Sequence, residues 1–274
     1  TATIREINMN KITIFQQSFR FILFALCVSF LFACQNTSLN DTLYPFSLND
    51  EKIASSPIKK ITVAHVNFGA PSKKYLRDEQ GKIDNYVKKQ LKDSGYAIAS
   101  NALFQQAWRK AIRQYGQPYD SYTSQINQRT FMRVMYTVLQ EIKQNSDIDA
   151  VVFTDLIERQ VSFSNGSSRT ARWDGVSRKP KIKGAGTGVS QGFDWMQTVP
   201  AVSILVTIYH VDGQRLFQSA GGIEITRMID PHRGNGRFVR RENIFNSPTH
   251  INKGVALALH PFAVMDDYPK SPEE

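Results

Sequence analysis

One apolar segment near the carboxyl end most constrains the fold of this chain. Residues 201–211 read AVSILVTIYHV, and Asp212-Gly213 then separates them from QRLFQSAGGIEI. β-Branched residues recur at every second position, which places them on one face of a strand. They are Val202, Ile204, Val206 and Ile208. Because an Asp-Gly pair between two such runs is typical of a tight turn, the sequence predicts a long antiparallel hairpin.

Strands and helices alternate along the chain before this hairpin. Apolar and small residues alternate over 60–68, and an unbroken apolar run spans 150–157, which suits a strand buried on both faces. Three further stretches have apolar residues at intervals of three or four, which predicts helices. They cover 83–91, 103–112 and 131–142. The order predicts an α/β domain in which helices flank a mixed sheet.

Residues 161–192 predict an extension of this domain. Asn165-Gly166 is a strong signal for a two-residue turn, so we expect a β-hairpin around it. Residues 177–192, which follow the hairpin, are basic and rich in glycine, and they predict a loop.

The front of the chain has the layout of a secretory leader. Met9 resembles a natural translation start, so we expect residues 1–8 to be an over-long reading of the gene. Lys11 and Arg20 precede an apolar segment over 21–33, which is shorter than the roughly 20 residues that a membrane-spanning helix needs. We therefore interpret residues 1–33 as a signal peptide that is removed.

Leu31-Phe32-Ala33-Cys34 resembles the lipobox of bacterial lipoproteins. In that family the cysteine sulfur receives a diacylglycerol, the chain is cut just before it, and the new amino terminus is acylated. The resemblance implies a covalent lipid on Cys34, and three acyl chains exceed the two that stable attachment needs. Gln35 stands where retained inner-membrane lipoproteins often have Asp, which implies the periplasmic face of the outer membrane in a Gram-negative bacterium. The alternative is that Cys34 belongs to an apolar helix.

These patterns divide the chain into four segments. After the signal peptide, residues 34–59 are rich in Asn, Ser, Asp and Pro and predict a lipidated tether. Residues 60–225 form the predicted α/β domain, and 226–274 form an extension that packs on the domain or trails from it. Because Cys27 would leave with the signal peptide, the mature chain would have no disulfide and no cysteine metal site.

The composition is basic. The chain has 34 Lys and Arg against 24 Asp and Glu, for a formal net charge of +10. A basic surface attracts nucleic acid, anionic lipid headgroups or anionic cell-wall polymers. An envelope location favours the membrane or the cell wall over nucleic acid. The alternative is a soluble surface with scattered lysines.

Two segments concentrate cations beside aromatic side chains, a composition that is typical of binding hot spots. We expect both to bind an envelope protein or an anionic polymer. The first supplies Arg172, Trp173, Arg178, Lys179, Lys181 and Lys183, and the second supplies Arg233, Arg237, Phe238, Arg240 and Arg241. The alternative is that Trp173 covers the sheet while the lysines stay hydrated.

No motif predicts an enzyme. Residues 188–192 match the G-x-S-x-G pattern around Ser190, but no apolar strand precedes them, so the required strand-to-helix turn is not expected. The five histidines lack the spacings of zinc sites, and the alternative is a metal site assembled from the distant His232, His250 and acidic residues. The pair Asp147 and Asp149 is expected to be solvated. We therefore expect no catalytic residue, no metal and no cofactor besides the lipid on Cys34.

The order of several segments resembles one group of periplasmic α/β domains. ITVAHVNF stands where the group has its first strand, and LKDSGYAIASNALFQQAW resembles its helix, short strand and second helix. DIDAVVFTDLIE resembles its central strand, and VSILVTIYHVDGQRLFQS its last hairpin. The group comprises the curli-secretion lipoproteins, the amino-terminal domain of the Tol translocation protein B, and the outer-membrane lipoproteins that activate peptidoglycan synthases.

The resemblance covers residues 60–225 and implies a non-enzymatic binding, assembly or activator module in the cell envelope. The implied partners are the membrane, through the lipid, and another envelope protein or a cell-wall polymer, with a homo-oligomer as one assembly state. The alternative is an oligomeric secretion-channel subunit of the curli-secretion type. Residues 159–192 lack the lipid-facing alternation of a barrel-forming subunit, which favours the binding module.

Overall fold

The computed structural model describes residues 46–64, 73–120, 123, 125–164, 169–184 and 188–268. The predicted signal peptide, Cys34 and the Asn165-Gly166 turn lie outside these residues. Within them, helices cover both faces of a six-stranded mixed sheet. The predicted α/β class with a mixed sheet flanked by helices is confirmed.

The main sheet contains β1 (Phe46–Leu48), β2 (Lys60–Ala64), β3 (Ala97–Ala99), β4 (Ala150–Val161), β8 (Val199–His210) and β9 (Arg215–Ile225). The shorter strands are β5 (Ala171–Trp173), β6 (Val176–Arg178), β7 (Lys181–Ile182), β10 (Arg227–Asp230) and β11 (Arg237–Arg240). The helices are α1 (Asp50–Ser55), α2 (Lys74–Arg77), α3 (Gln80–Asp93), α4 (Ala102–Tyr115), α5 (Gln128–Asn145) and α6 (Pro248–Leu259). None of the helices in these ranges is long and apolar enough to cross a membrane.

The main sheet has the order β1-β9-β8-β4-β2-β3. β2 runs parallel to β3 and β4, whereas β8 is antiparallel to both β4 and β9. The hairpin predicted at Asp212-Gly213 is confirmed as the connection between β8 and β9, and Gly213 has a φ of 98°, which a glycine adopts without strain. The four β-branched residues of β8 are completely buried, as their alternation predicts.

Two helical layers enclose this sheet. On one face, α3 and α6 pack over the β-branched face of β8 through side chains such as Val87 and Ile251. On the other face, α4 and α5 pack against β4 through side chains such as Phe104 and Val138. The amphipathic stripes predicted for α3, α4 and α5 are therefore their buried faces.

Residues on either side of the predicted domain also belong to the fold. Phe46–Leu48, which the sequence assigned to the tether, pairs antiparallel with β9, and the Asn49 N–H donates to the Leu216 carbonyl at 2.8 Å. In the carboxy-terminal extension, α6 buries Ile251 and Val255 against the sheet. The ordered unit thus reaches beyond the 60–225 limits on both sides.

A small three-stranded sheet, with the order β11-β10-β7, continues from β9 through Thr226. β10 pairs parallel with β7 and antiparallel with β11. Strand β7 lies inside the segment that the sequence predicted as a loop. Beside it, β5 and β6 form a hairpin whose turn is Asp174-Gly175.

Candidate functional site: a basic groove on the small sheet

The small sheet brings the two predicted basic segments together. β7 carries Lys181, and Lys183 follows it, whereas Arg240 lies at the end of β11. Because β10 lies between β7 and β11, side chains more than 50 positions apart in the sequence line one groove of about 420 Å³. Arg233, in the turn after β10, also lines it. We call this feature the basic groove.

The register of the strands explains what faces the groove. Met228 pairs with Lys181 on one side and with Val239 on the other, so these three side chains form one row across the sheet. Two residues further along, Asp230 occupies the same face, opposite Arg237. The groove therefore combines cations with an apolar strip formed by Met228 and Val239.

Asp230 organises two of the cations. Its carboxylate is buried, and its Oδ2 lies 3.5 Å from Lys183 Nζ and 3.5 Å from Arg233 Nε. The His232 N–H donates to its Oδ1 at 3.1 Å. Burial raises the pKa of Asp230, but this hydrogen bond and the two cations lower it more, so the pKa lies below its ordinary value. Asp230 is therefore an anion that holds Lys183 and Arg233 beside the groove.

Arg240 is positioned by an aromatic platform. Its guanidinium carbon lies 4.2 Å from the centre of the Tyr75 ring, within range of a cation–π contact. The Tyr75 hydroxyl donates a short hydrogen bond to Glu158 Oε1, and Lys73 Nζ lies 3.2 Å from Glu158 Oε2. Burial and this hydrogen bond to Glu158 raise the pKa of Tyr75, so the hydroxyl stays a donor.

The prediction that Arg241 binds a partner is not supported by its surroundings. Its guanidinium is only 4% exposed and lies 3.1 Å from Glu224 Oε1, and it donates to the Ile225 carbonyl at 2.7 Å. His250 Nδ1 lies 3.0 Å from the other oxygen of Glu224. Because a buried carboxylate needs such partners, Glu224 joins β9 to α6 through His250 and to the wall of the groove through Arg241.

The interpretation of Trp173 as an exposed hot spot is wrong. The side chain is 5% exposed and packs against Gly222, where a Cβ atom would lie 2.9 Å from the indole Nε1. This matches the alternative in which the tryptophan covers the sheet. Arg178, on the same face of the β5–β6 hairpin, is half-buried and donates from Nε to the Ile223 carbonyl at 3.3 Å. Both residues hold the hairpin on β9.

The other predicted site residues lie outside the lining of the groove. Arg172, Lys179 and Arg237 are exposed. Phe238 is half-buried and packs with other rings, with its centre 5.5 Å from Phe163 and 5.1 Å from Phe193. This aromatic cluster fixes β11 against the segment around residue 193. The structure thus brings together Lys181, Lys183, Arg233 and Arg240 as accessible cations.

The remaining motifs have structural explanations. Ser190 Oγ accepts from the Gly192 N–H at 3.2 Å inside a turn. Asp149, predicted to be solvated, instead accepts from the N–H groups of Lys59 and Lys60, both at 2.8 Å. Among the residues that the structure describes, no three His, Cys, Asp or Glu side chains are grouped so that they could hold a metal ion.

Sequence reasoning missed Tyr75, Glu158, Met228 and Val239. Glu158 gave a usable signal, since a charged residue late in an apolar strand calls for a partner. The other three gave none, because the strand pairing that places Met228 and Val239 between the cations is not local. Asp174-Gly175 was a turn signal in the sequence itself, and it marks the β5–β6 hairpin.

Comparisons with known proteins place the chain in no family. No protein-family model matches it, and no curated protein matches it. Among solved structures, the chain is similar to a dodecameric PelC variant from Paraburkholderia phytofirmans, with 11% sequence identity and a TM-score of 0.31 over 81% of this chain and 99% of that chain. A likeness this distant shows neither family nor function. The function is therefore inferred from the residues.

Proposed function

We propose that this protein is a non-enzymatic, lipid-anchored module of the bacterial cell envelope, which binds an anionic envelope component through the basic groove. The observation that carries the proposal is the convergence of Lys181, Lys183, Arg233 and Arg240 from separate segments onto one concave surface. Among the described residues that line the groove, Glu242 is the one carboxylate, and the buried Asp230 lies 3.5 Å from both Lys183 and Arg233. The local field is positive and attracts anions.

The lipid anchor is the second part of the proposal. The lipobox at Cys34 supports attachment to the outer membrane on its periplasmic face, and residues 35–45 would connect the lipidated cysteine to β1. Tethering raises the effective concentration of the groove near the envelope without adding any contact. Localisation and charge together then account for binding.

Mass spectrometry of the processed protein tests the anchor. We expect the mature chain to begin at Cys34 and to carry acyl mass on it, and we expect Cys34→Ser to abolish both the processing and the modification. Retention of the leader, or a mature chain without acyl mass, would contradict the proposed anchor.

Crosslinking in living cells tests the groove. A photoreactive residue in place of Asn243, an exposed residue of the groove lining, should capture an envelope protein or glycan. Gln114 is the matched control, because it is an exposed amide on α4, away from the small sheet. We expect an adduct from position 243 and none from position 114.

Charge-removing variants show whether this adduct depends on the groove or on the positive charge of the protein in general. Lys181→Gln with Lys183→Gln should remove the adduct, whereas Lys179→Gln, which lies outside the groove lining, should leave it. Equal capture from positions 243 and 114, or no capture from 243, would count against the groove as the binding surface.

A further inference from the structure

We infer that the basic groove binds a phosphate ester, carried either by a sugar-sized ligand or by a lipid headgroup. The inference rests on the proposed function, because it names the ligand class of the same groove.

The cations reach the groove from three separate elements. Lys181 lies on β7 with Lys183 just after it, Arg233 belongs to the turn that follows β10, and Arg240 ends β11. A tetrahedral phosphate presents oxygens to several sides and accepts from both ammonium and guanidinium groups. A planar carboxylate needs fewer donors, because one arginine guanidinium can donate to both of its oxygens in a bidentate pair. Convergence from several segments therefore favours phosphate over carboxylate.

These cations are available to a ligand. Lys181 makes no ion pair or side-chain hydrogen bond with any residue in the described ranges. Lys183 and Arg233 lie 3.5 Å from Asp230, which is long compared with the roughly 2.7–2.9 Å of a tight charge-assisted bond. An incoming dianion can therefore attract both side chains while Asp230 keeps them nearby.

Arg240 is pre-organised for this role. The contact with the Tyr75 ring holds the guanidinium in place, and no residue in the described ranges ion-pairs with it or accepts a hydrogen bond from it. Glu158 accepts a hydrogen bond from the Tyr75 hydroxyl and forms an ion pair with Lys73, and these contacts hold the Tyr75 ring in place. Because a side chain that is already ordered loses less entropy on binding, this platform strengthens a contact without adding charge.

The apolar strip indicates that the phosphate is attached to a larger group. Met228 and Val239 lie side by side in the lining, and a bare phosphate would gain nothing from them. The groove volume of about 420 Å³ lies within the roughly 300–1,000 Å³ range of small-molecule sites. A sugar ring or a glycerol backbone fits this description.

Titration calorimetry on the purified, lipidated protein in detergent tests the phosphate preference. Glucose 1-phosphate and glucuronate are the probes, since both are sugars of similar size and differ in their anionic group. We expect glucose 1-phosphate to bind at least about fivefold more tightly, because a phosphate monoester carries about −1.5 to −2 charge at pH 7. Its affinity should fall as salt rises.

Matched variants test the residues. Lys181→Gln should weaken glucose 1-phosphate binding by about fivefold or more, whereas Lys179→Gln, which removes the same charge from the same segment, should change it by less than about twofold. Tyr75→Leu should weaken binding although every cation remains, and Arg240→Lys should weaken it although the charge remains. Thermal unfolding of each variant verifies that it is folded.

Two results would overturn the inference. One is that the wild-type protein binds glucose 1-phosphate and glucuronate with equal affinity, or binds neither of them. The other is an equal effect of Lys181→Gln and Lys179→Gln. Neither result would touch the crosslink expected from position 243, so a failed phosphate preference remains distinguishable from a failed envelope-binding module.

Nanodiscs distinguish the two sources of the phosphate ester. The lipidated protein is reconstituted in phosphatidylcholine discs with and without phosphatidic acid, and glucose 1-phosphate is titrated into each. Competition by phosphatidic acid assigns the groove to a lipid headgroup, whereas unchanged binding assigns it to a phosphate-bearing glycan. Both outcomes support a phosphate ester.

Discussion

At the scale of single residues, the contact between β9 and α6 depends on glycines, which have no side chain. A Cβ atom on Gly221 would lie 1.9 Å from the Gly254 carbonyl oxygen, and one on Gly254 would lie 2.7 Å from the Gly222 carbonyl oxygen. Backbone atoms therefore touch where other residues would hold the helix away. This close approach brings His250 within reach of Glu224, and Glu224 fixes Arg241 at the groove wall.

Gly221→Ala should destabilise the fold by about 3 kcal/mol or more, because the rigid backbone of α6 cannot yield to the new methyl group without losing its packing. Gly188→Ala is the control, since a Cβ atom there meets nothing within 4 Å. Urea unfolding of both variants measures the difference. Similar stability of the two variants would refute the close packing.

The Asp155 carboxyl makes the free energy of unfolding depend on pH. Burial raises its pKa from the ordinary 3.8 to about 6, although the Leu156 N–H and Lys73 lower it. Between these two values the folded protein holds a proton that the unfolded chain has lost. The carboxyl therefore lowers the free energy of unfolding as pH rises from about 4 to about 6, by at most about 3 kcal/mol.

Asp155→Asn should remove this decline, because the amide does not titrate. The free energy of unfolding from urea denaturation, compared for wild type and variant at intervals across that pH range, measures it. The two proteins should be closest in stability at low pH, with the variant more stable near neutral pH. Parallel curves for the two proteins would contradict the assignment to Asp155.

At the scale of secondary-structure elements, two aspartates fix the start of β2. Asp149 precedes β4 and accepts the N–H groups of Lys59 and Lys60, so one carboxylate joins the beginnings of two parallel strands. Asp147 contacts the Lys60 side chain at 2.6 Å instead, and this hydrogen bond lowers its pKa. These contacts therefore align the beginning of β2 with that of β4.

Asp149→Ala should lower the free energy of unfolding by about 1–2 kcal/mol, because two backbone donors lose a charged acceptor. Asp147→Ala should have a smaller effect, since its ion pair is largely exposed and screened by solvent. Chemical denaturation of the two variants compares them directly. A larger loss for Asp147→Ala would show that the side-chain pair is the stronger contact.

At the scale of the whole molecule, charge and apolar exposure are distributed differently. The pairing of β7, β10 and β11 gathers Lys181, Lys183, Arg233 and Arg240 at the groove. Large exposed apolar side chains lie instead at dispersed positions of the described structure, such as Phe46 on β1, the pair Met132 and Tyr136 on α5, and Val264 after α6. Obligate oligomers need a large apolar interface, which scattered side chains do not supply.

We therefore expect the detergent-extracted protein to behave as a monomer or small oligomer in light scattering coupled to size exclusion. The secretion-channel alternative requires large rings instead. Ring-sized particles that persist on dilution would contradict the expectation and favour that alternative.

The sequence by itself determined the elements and the α/β class, because the periods of apolar residues follow from the geometry of helices and strands. The faces of β8, α3, α4 and α5 were readable for this reason. Only the tertiary structure decided that Trp173 and Arg241 are buried and that Lys181 and Arg240 share a groove. Pairing between distant strands, stacking on Tyr75 and burial beside Glu224 depend on residues far apart in the chain, and local patterns do not record them.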